Sequence, residues 1–183
     1  LVDASITRIE RLDGEINAVI MRWFDRARAQ AVAFDELPAL ADRRATPFAG
    51  VPFLIKDLGI HSAWMPITSG NRAALDAQPI SKHDSYLMER LRDAGLITLG
   101  RTNSPEFGSL PVTEPLAYGP TRNPWHINHT PGGSSGGAAA SGGDGEVDAR
   151  VLEHPLGIVA LDARRLGAEQ AGVEIDALGE IGH

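Results

Sequence analysis

Apolar residues recur every three or four positions at the start of the chain and form two nearly continuous β-prone runs further on. In "LVDASITRIERLD" (1–13), Val2, Ile6, Ile9 and Leu12 share one face with charges opposite, which predicts an amphipathic helix. "NAVIM" (17–21) reads as a short strand, and "WFDRARAQAVAFDEL" from Trp23 as a second helix ended by Pro38. "FAGVPFLIKDLGI" (48–60) is apolar apart from one charged pair and predicts a buried strand. "TSGN" (68–71) is a turn. Asp84 is placed to cap a helix over "SYLMERLRDAG", in which Leu87 and Leu91 lie one turn apart and Gly95 closes the end. "LITLGRTN" (96–103) is then a strand, followed by a turn around Pro105.

Strand, helix, strand in that order predicts an α/β layered domain with at least partly parallel strands. From Leu110 to Pro131 the chain is proline-rich and aperiodic, hence a loop. No internal repeat is present.

Composition changes this picture in three ways. The 183 residues are 43% hydrophobic and 5% aromatic, enough for one ordinary domain with an aliphatic core. There is no cysteine. Disulfides, thiolate metal sites and a cysteine nucleophile are therefore excluded, and a cytoplasmic setting is compatible. A net charge of −7 argues against nucleic acid as the main partner. No apolar run reaches membrane-spanning length and no signal peptide is visible. The first residue is Leu1 rather than Met, so the chain reads as a fragment or a processed product.

Charge is unevenly spread. Residues 1–140 carry 14 basic and 15 acidic groups, whereas residues 141–183 carry 3 and 9. The expected organisation is therefore one unit over 1–140 and an acidic tail of unassigned fold over 141–183.

Only Lys56 and Lys82 are lysines among the 17 basic residues. Lys82 lies in the polar stretch "ISKHD" and reads as solvated. Lys56 follows "VPFLI" inside the apolar run. A lysine held there loses hydration, which lowers its pKa and lets the neutral amine take a proton, as arginine essentially never does. The alternatives are a strand-end lysine reaching to the surface or pairing with Asp57, although alternation sends those two side chains to opposite faces.

The second unusual stretch is "TPGGSSGGAAAS" (130–141). A flexible linker is one reading, but the stretch is short and leads into alanines. A phosphate cradle requires lysine and Ser/Thr after the last glycine, where Ala138 stands. Gly132 to Gly136 matches G-x-S-x-G with Ser134 as nucleophile and His154 or His183 downstream. That elbow needs a preceding strand, and "NPWHINHTP" is a poor one. A serine activated by a neutral lysine is the remaining reading, and it joins the two odd stretches.

At these residues the chain resembles the amidase signature family. "GVPFLIKDL" (50–58) is similar to the family's lysine segment and "TPGGSSGG" (130–137) to its glycine–serine segment. "GRTNSPEFG" (100–108) and "YGPTRNPW" (118–125) are similar to the segments between them, in the same order. The resemblance covers roughly residues 1–140. It implies a partial α/β/α layered domain around a mixed sheet and hydrolysis of carboxylic amides by a Ser–cisSer–Lys triad, with no metal or organic cofactor. By position, Lys56 matches the family lysine and Ser134 the serine that follows a cis peptide bond. The implied partners are a small-molecule amide substrate, with neither nucleic acid nor a membrane.

The resemblance stops near Ser141. The family places its nucleophile about two dozen residues after the cis serine, in a glycine-rich turn that also donates backbone N–H groups to the oxyanion. Here that distance falls in "HPLGIVAL" (154–161), and the only later serine is Ser141. The expectation is a truncated member whose sequence diverges near Ser141 by frameshift, fusion or truncation, or a member with a divergent tail. Ser135 or Ser141 would be its only substitute nucleophiles. Alternatives in other classes are a catalytically inactive remnant and an amidotransferase subunit. Strands left without neighbours would favour self-association through uncovered surface.

The remaining candidates read as structural. His126 and His129 lack an evident third metal ligand, Asn103 and Glu106 read as caps of the following turn, and Trp64, Trp125 and Phe107 as core or loop anchors.

Overall fold

The computed structural model describes residues 1–36 and 48–142, with the backbone of a short strand at 158–160. The first helix, α1 (Val2–Ile16), buries Val2, Ile6 and Ile9 and ends at Asn17 in the left-handed conformation (φ 55°), which asparagine tolerates better than most residues. Its last turn is tied to β1 (Val19–Arg22) by Asp13. That carboxylate accepts from the backbone N–H of Ala18 at 2.7 Å and of Val19 at 3.1 Å, and pairs with Arg22 at 2.7 Å. Burial pushes the Asp13 carboxyl up, and these hydrogen bonds oppose the shift.

Helix α2 (Phe24–Asp35) follows as its pattern predicts; Pro38, its expected stop, lies outside the described residues. The apolar run at 48–60 contains a strand narrower than expected, β2 (Pro52–Lys56), buried at every position. A six-residue helix that the periodicity does not reveal, α3 (Arg72–Ala77), is started by Asn71, whose side chain accepts from Ala74 N–H at 3.0 Å.

Helix α4 (Tyr86–Asp93) is capped by Ser85, not by Asp84. Asp84 is one residue too early to reach the first turn. It accepts instead from Ser62 Oγ at 3.0 Å and Ala63 N–H at 2.7 Å, and pairs with Arg92. Strand β3 (Ile97–Thr102) comes next, then a single 3₁₀ turn at Glu106–Gly108. Helix α5 (Gly136–Gly142) begins directly after the serine pair, and strand β4 (Ile158–Ala160) follows.

The sheet is mixed, in the order β1-β3-β2-β4. Strand β3 runs parallel to β2 and antiparallel to β1, while β4 pairs antiparallel with β2. Alternation along β2 splits the core in two. Leu54 joins α1, α2, Val19, Ile97, Leu99 and Ala140 on one face, while Phe53 and Ile55 pack with Met65, Met88 and Leu91 on the other. This is the expected layered α/β arrangement, in part. Several large apolar side chains between Phe107 and Ile127 remain exposed, Leu116 and Trp125 most of all. Among the described residues no helix is long and apolar enough to cross a membrane.

Candidate active site

Lys56 is the last residue of β2 and lies on the Leu54 face, toward α5. Its side chain is buried and its ammonium donates to Ser134 Oγ at 2.8 Å and to Ser135 Oγ at 3.0 Å. Burial lowers the Lys56 pKa below its usual 10.5, with no carboxylate among the described residues to hold it up. The two hydroxyls are half-buried.

The backbone between the prolines and α5 is held by close packing. The Gly133–Ser134 peptide bond is cis. A Cβ at Gly133 would lie 2.8 Å from Leu110 O, Pro111 C and Val112 N, so no other residue fits while the 110–112 loop keeps its place. At Gly137 a Cβ would meet Asn103 O at 2.6 Å and Ala18 O at 2.8 Å. That glycine seats α5 against the ends of β1 and β3. The backbone N–H of Gly136 donates to Thr113 Oγ1 and that of Gly137 to Asn103 O, both at 3.1 Å. This pins the start of α5 on both sides.

Asp57, one residue on, faces away from Lys56. Its carboxylate accepts from Thr68 N–H at 2.9 Å, Thr68 Oγ1 at 2.5 Å and Gly70 N–H at 3.1 Å. Arg101 of β3, wholly buried, sits 3.9 Å from Asp57 Oδ1 and donates to the carbonyls of Pro66 (2.6 Å), Lys56 (3.0 Å) and Ile60 (2.9 Å). Burial pulls the guanidinium down to about 10, against the pull of Asp57, which leaves it charged at neutral pH. The network ends at Tyr118, whose hydroxyl lies 2.9 Å from Thr68 Oγ1 and is pushed up to about 12 by burial.

The structure thus brings Lys56 and Ser134 together across 78 residues of sequence and leaves Lys56 unpaired with Asp57. Lys82 is exposed. Asn103 is not a cap. Its side-chain amide donates to Gly119 O and Thr121 Oγ1, because the residue is buried behind the sheet edge and reaches the 113–121 loop rather than the turn after it. Glu106 opens the 3₁₀ turn and accepts from Asn71 Nδ2 at 2.5 Å. Trp64 stacks edge-on against Trp23 at 5.7 Å, as an anchor should. Trp125 and Phe107 are exposed instead, since the loop that carries them packs through backbone and threonines. His126 and His129 touch each other edge-on at 4.0 Å in an exposed turn. His154 and His183 lie outside the described residues.

Sequence reasoning names Ser135 only as a substitute nucleophile, without its contact to the lysine, and misses the Arg101 network. An arginine embedded in "LITLGRT" is the available signal for the second.

An amine of lowered pKa beside two hydroxyls, packed under a glycine turn, is a place where a proton can leave serine without a metal or histidine. Residues 1–149 match the Amidase family model, and the chain belongs to that family. It is 36% identical over 175 residues to the 6-aminohexanoate-cyclic-dimer hydrolase of Paenarthrobacter ureafaciens, covering 90% of this chain and 34% of that protein. Over 151 residues it is 42% identical to a glutamyl-tRNA(Gln) amidotransferase subunit from Anaeromyxobacter dehalogenans, covering 82% and 30% respectively. The solved structure of 6-aminohexanoate cyclic dimer hydrolase superposes with a TM-score of 0.67 at 40% identity, covering 78% of this chain and 28% of that one. The chain therefore spans about a third of the length of these relatives.

Proposed function

We propose that Lys56 and Ser134 are the base and relay of an amide-hydrolysing site of the Ser–cisSer–Lys type, acting on a small carboxylic amide to give a carboxylate and ammonia or an amine. The observation that carries this reading is the 2.8 Å contact between a buried lysine of lowered pKa and the serine hydroxyl. In the forward direction neutral Lys56 takes the proton of Ser134, and Ser134 takes that of a nucleophilic serine as it attacks the amide carbon. Ser134 then returns a proton to the departing nitrogen, and water clears the acyl group. Nothing in these steps requires a metal or an organic cofactor.

No serine follows Ser141 in this chain, and no glycine–serine turn stands where the family places its nucleophile. On this reading residues 1–140 carry the base and relay. The acidic segment 141–183 contains Ser141 as its one serine, so a third serine would have to come from elsewhere. The exposed apolar side chains between Phe107 and Ile127 then mark surface through which copies of the chain self-associate. The reading as part of an amidotransferase rests on the names of several relatives alone and finds no support in the net charge of −7.

The test joins these residues to the rest of a family member. Residues 1–142 are joined to the complementary two thirds of a family member, and the product is accepted only if it unfolds cooperatively. Amine release from a chromogenic anilide is then measured. Lys56→Ala and Ser134→Ala should each lower turnover by about 10²–10⁴-fold. A folded hybrid whose turnover survives Lys56→Ala overturns the reading.

A further inference from the structure

Lys56 touches two hydroxyls, and the relay described above uses one. Ser135 Oγ lies 3.0 Å from Nζ, almost as close as Ser134 at 2.8 Å. A neutral primary amine has one lone pair and two N–H groups. It therefore receives a proton from one serine while donating to the other. The two serines are not equivalent. The 3₁₀ turn closes on Ser134, whose Cβ and Oγ each lie 3.8 Å from the point where a side chain at Gly108 would start. Ser141 does not compete, because its hydroxyl donates to Ala138 O at 3.0 Å within α5.

We infer that Ser135 is a nucleophile in this chain, activated by Lys56 and acylated by activated carboxylic esters. The inference rests on the proposed role of Lys56 as base, but not on Ser134 as relay to a third serine. The Ser135 Oγ–H proton passes to the lone pair of Nζ, and the Oγ–C bond forms at the ester carbonyl. The carbon–oxygen bond to the leaving group breaks, and its electron pair departs with the aryloxide. In hydrolysis, water adds to the acyl carbon and loses a proton to solvent, the Ser135 Oγ–C bond breaks, Oγ recovers a proton from the Lys56 ammonium, and the acid departs, ionising to the carboxylate.

The same geometry defines the substrate class. The N–H groups of Gly136 and Gly137, the two that follow Ser135, are already bonded to Thr113 Oγ1 and Asn103 O. Neither is free for an oxyanion. Beside Ser135 Oγ, the Ser134 O–H, whose oxygen accepts from Lys56 Nζ–H, is the donor that the shared lysine holds in place. One hydroxyl stabilises an oxyanion less well than a pair of backbone amides. Good leaving groups are therefore needed, amides are excluded, and the acyl-serine accumulates.

The experiment incubates the full chain with p-nitrophenyl acetate, follows p-nitrophenolate release, and maps acetyl groups by peptide mass spectrometry. The expected result is a burst of about one equivalent with acetyl on Ser135. Ser135→Ala should abolish it, Ser141→Ala should leave it unchanged, and Lys56→Ala and Lys56→Met should slow it by about 10²-fold. Acetyl on Ser134 or on Lys56 itself, no acetyl at Ser135, or acetylation of Ser135 at full rate in both lysine variants each overturns the inference. The two proposals fail separately. A joined chain with no Lys56-dependent amidase activity leaves lysine-dependent Ser135 labelling intact, and an unlabelled Ser135 leaves the relay untouched.

Discussion

Lys56 and Asp57 are adjacent in sequence and occupy opposite faces of the same strand end, and the two faces treat charge in opposite ways. On the Asp57 face a buried carboxylate meets a buried guanidinium, and both are further satisfied by backbone N–H groups, carbonyls and a threonine. On the Lys56 face a buried amine meets, among the described residues, two hydroxyls. The first arrangement keeps its groups ionised and fixed. The second favours the neutral amine, because burial opposes the ammonium and nothing of opposite charge repays it. Saturation marks the Asp57 face, and incomplete pairing the face where the proposed chemistry lies.

The sharpest way to break this contrast is on the saturated side. Asp57→Ala strands the Arg101 guanidinium in the core, and removing one partner of a buried pair costs about 3–5 kcal/mol. Urea unfolding should show that loss, with Asp57→Asn intermediate because its amide still accepts hydrogen bonds. A midpoint unchanged by Asp57→Ala would erase the distinction between the faces.

A smaller effect is expected at the serine turn. Gly133→Ala forces a Cβ to within 2.8 Å of Leu110 O and the 111–112 backbone, and such overpacking costs about 1–3 kcal/mol. Displacement of the serines should accompany it, read as loss of lysine-dependent acetylation beyond what the stability change explains.

The smallest thermodynamic effect belongs to Lys56→Met, expected within about 1 kcal/mol at neutral pH because no buried ionic partner is left stranded. Its signature is in the pH dependence. The folded state holds Lys56 below its unfolded value of 10.5, so between the two values the unfolded chain binds more protons. Stability contributed at this site therefore rises with pH through that window. Unfolding midpoints measured up to pH 10.5 should rise for the parent relative to Lys56→Met. A parallel pair of curves would mean that burial does not disfavour the ammonium.

Much of this is legible in the sequence, for physical reasons that differ by residue. Helix α1 and strands β2 and β3 announce themselves because burial of one face or both imposes a period. Lys56 stands out as a rare charge in an apolar run, and Ser134 as a hydroxyl among glycines. Asp57–Arg101 does not, since it depends on the parallel register that sets Ile55 beside Arg101 and Lys56 beside Thr102, which no local pattern encodes. Asn103 misleads because its neighbours in sequence suggest a turn, whereas its partners, Gly119 and Thr121, lie more than a dozen residues away. Asp84 and Ser85 are both good caps, and only the backbone path between them decides which one serves.

The 78 residues between Lys56 and Ser134 also carry a meaning in time. Contacts so distant along the chain form only when the intervening segments have closed around them. While the polypeptide is still being made, the amine is an ordinary solvated lysine and the hydroxyls are ordinary alcohols. The contact between amine and hydroxyls therefore arrives only with closure of the domain, and a reagent that reported it would count finished molecules and pass over nascent ones.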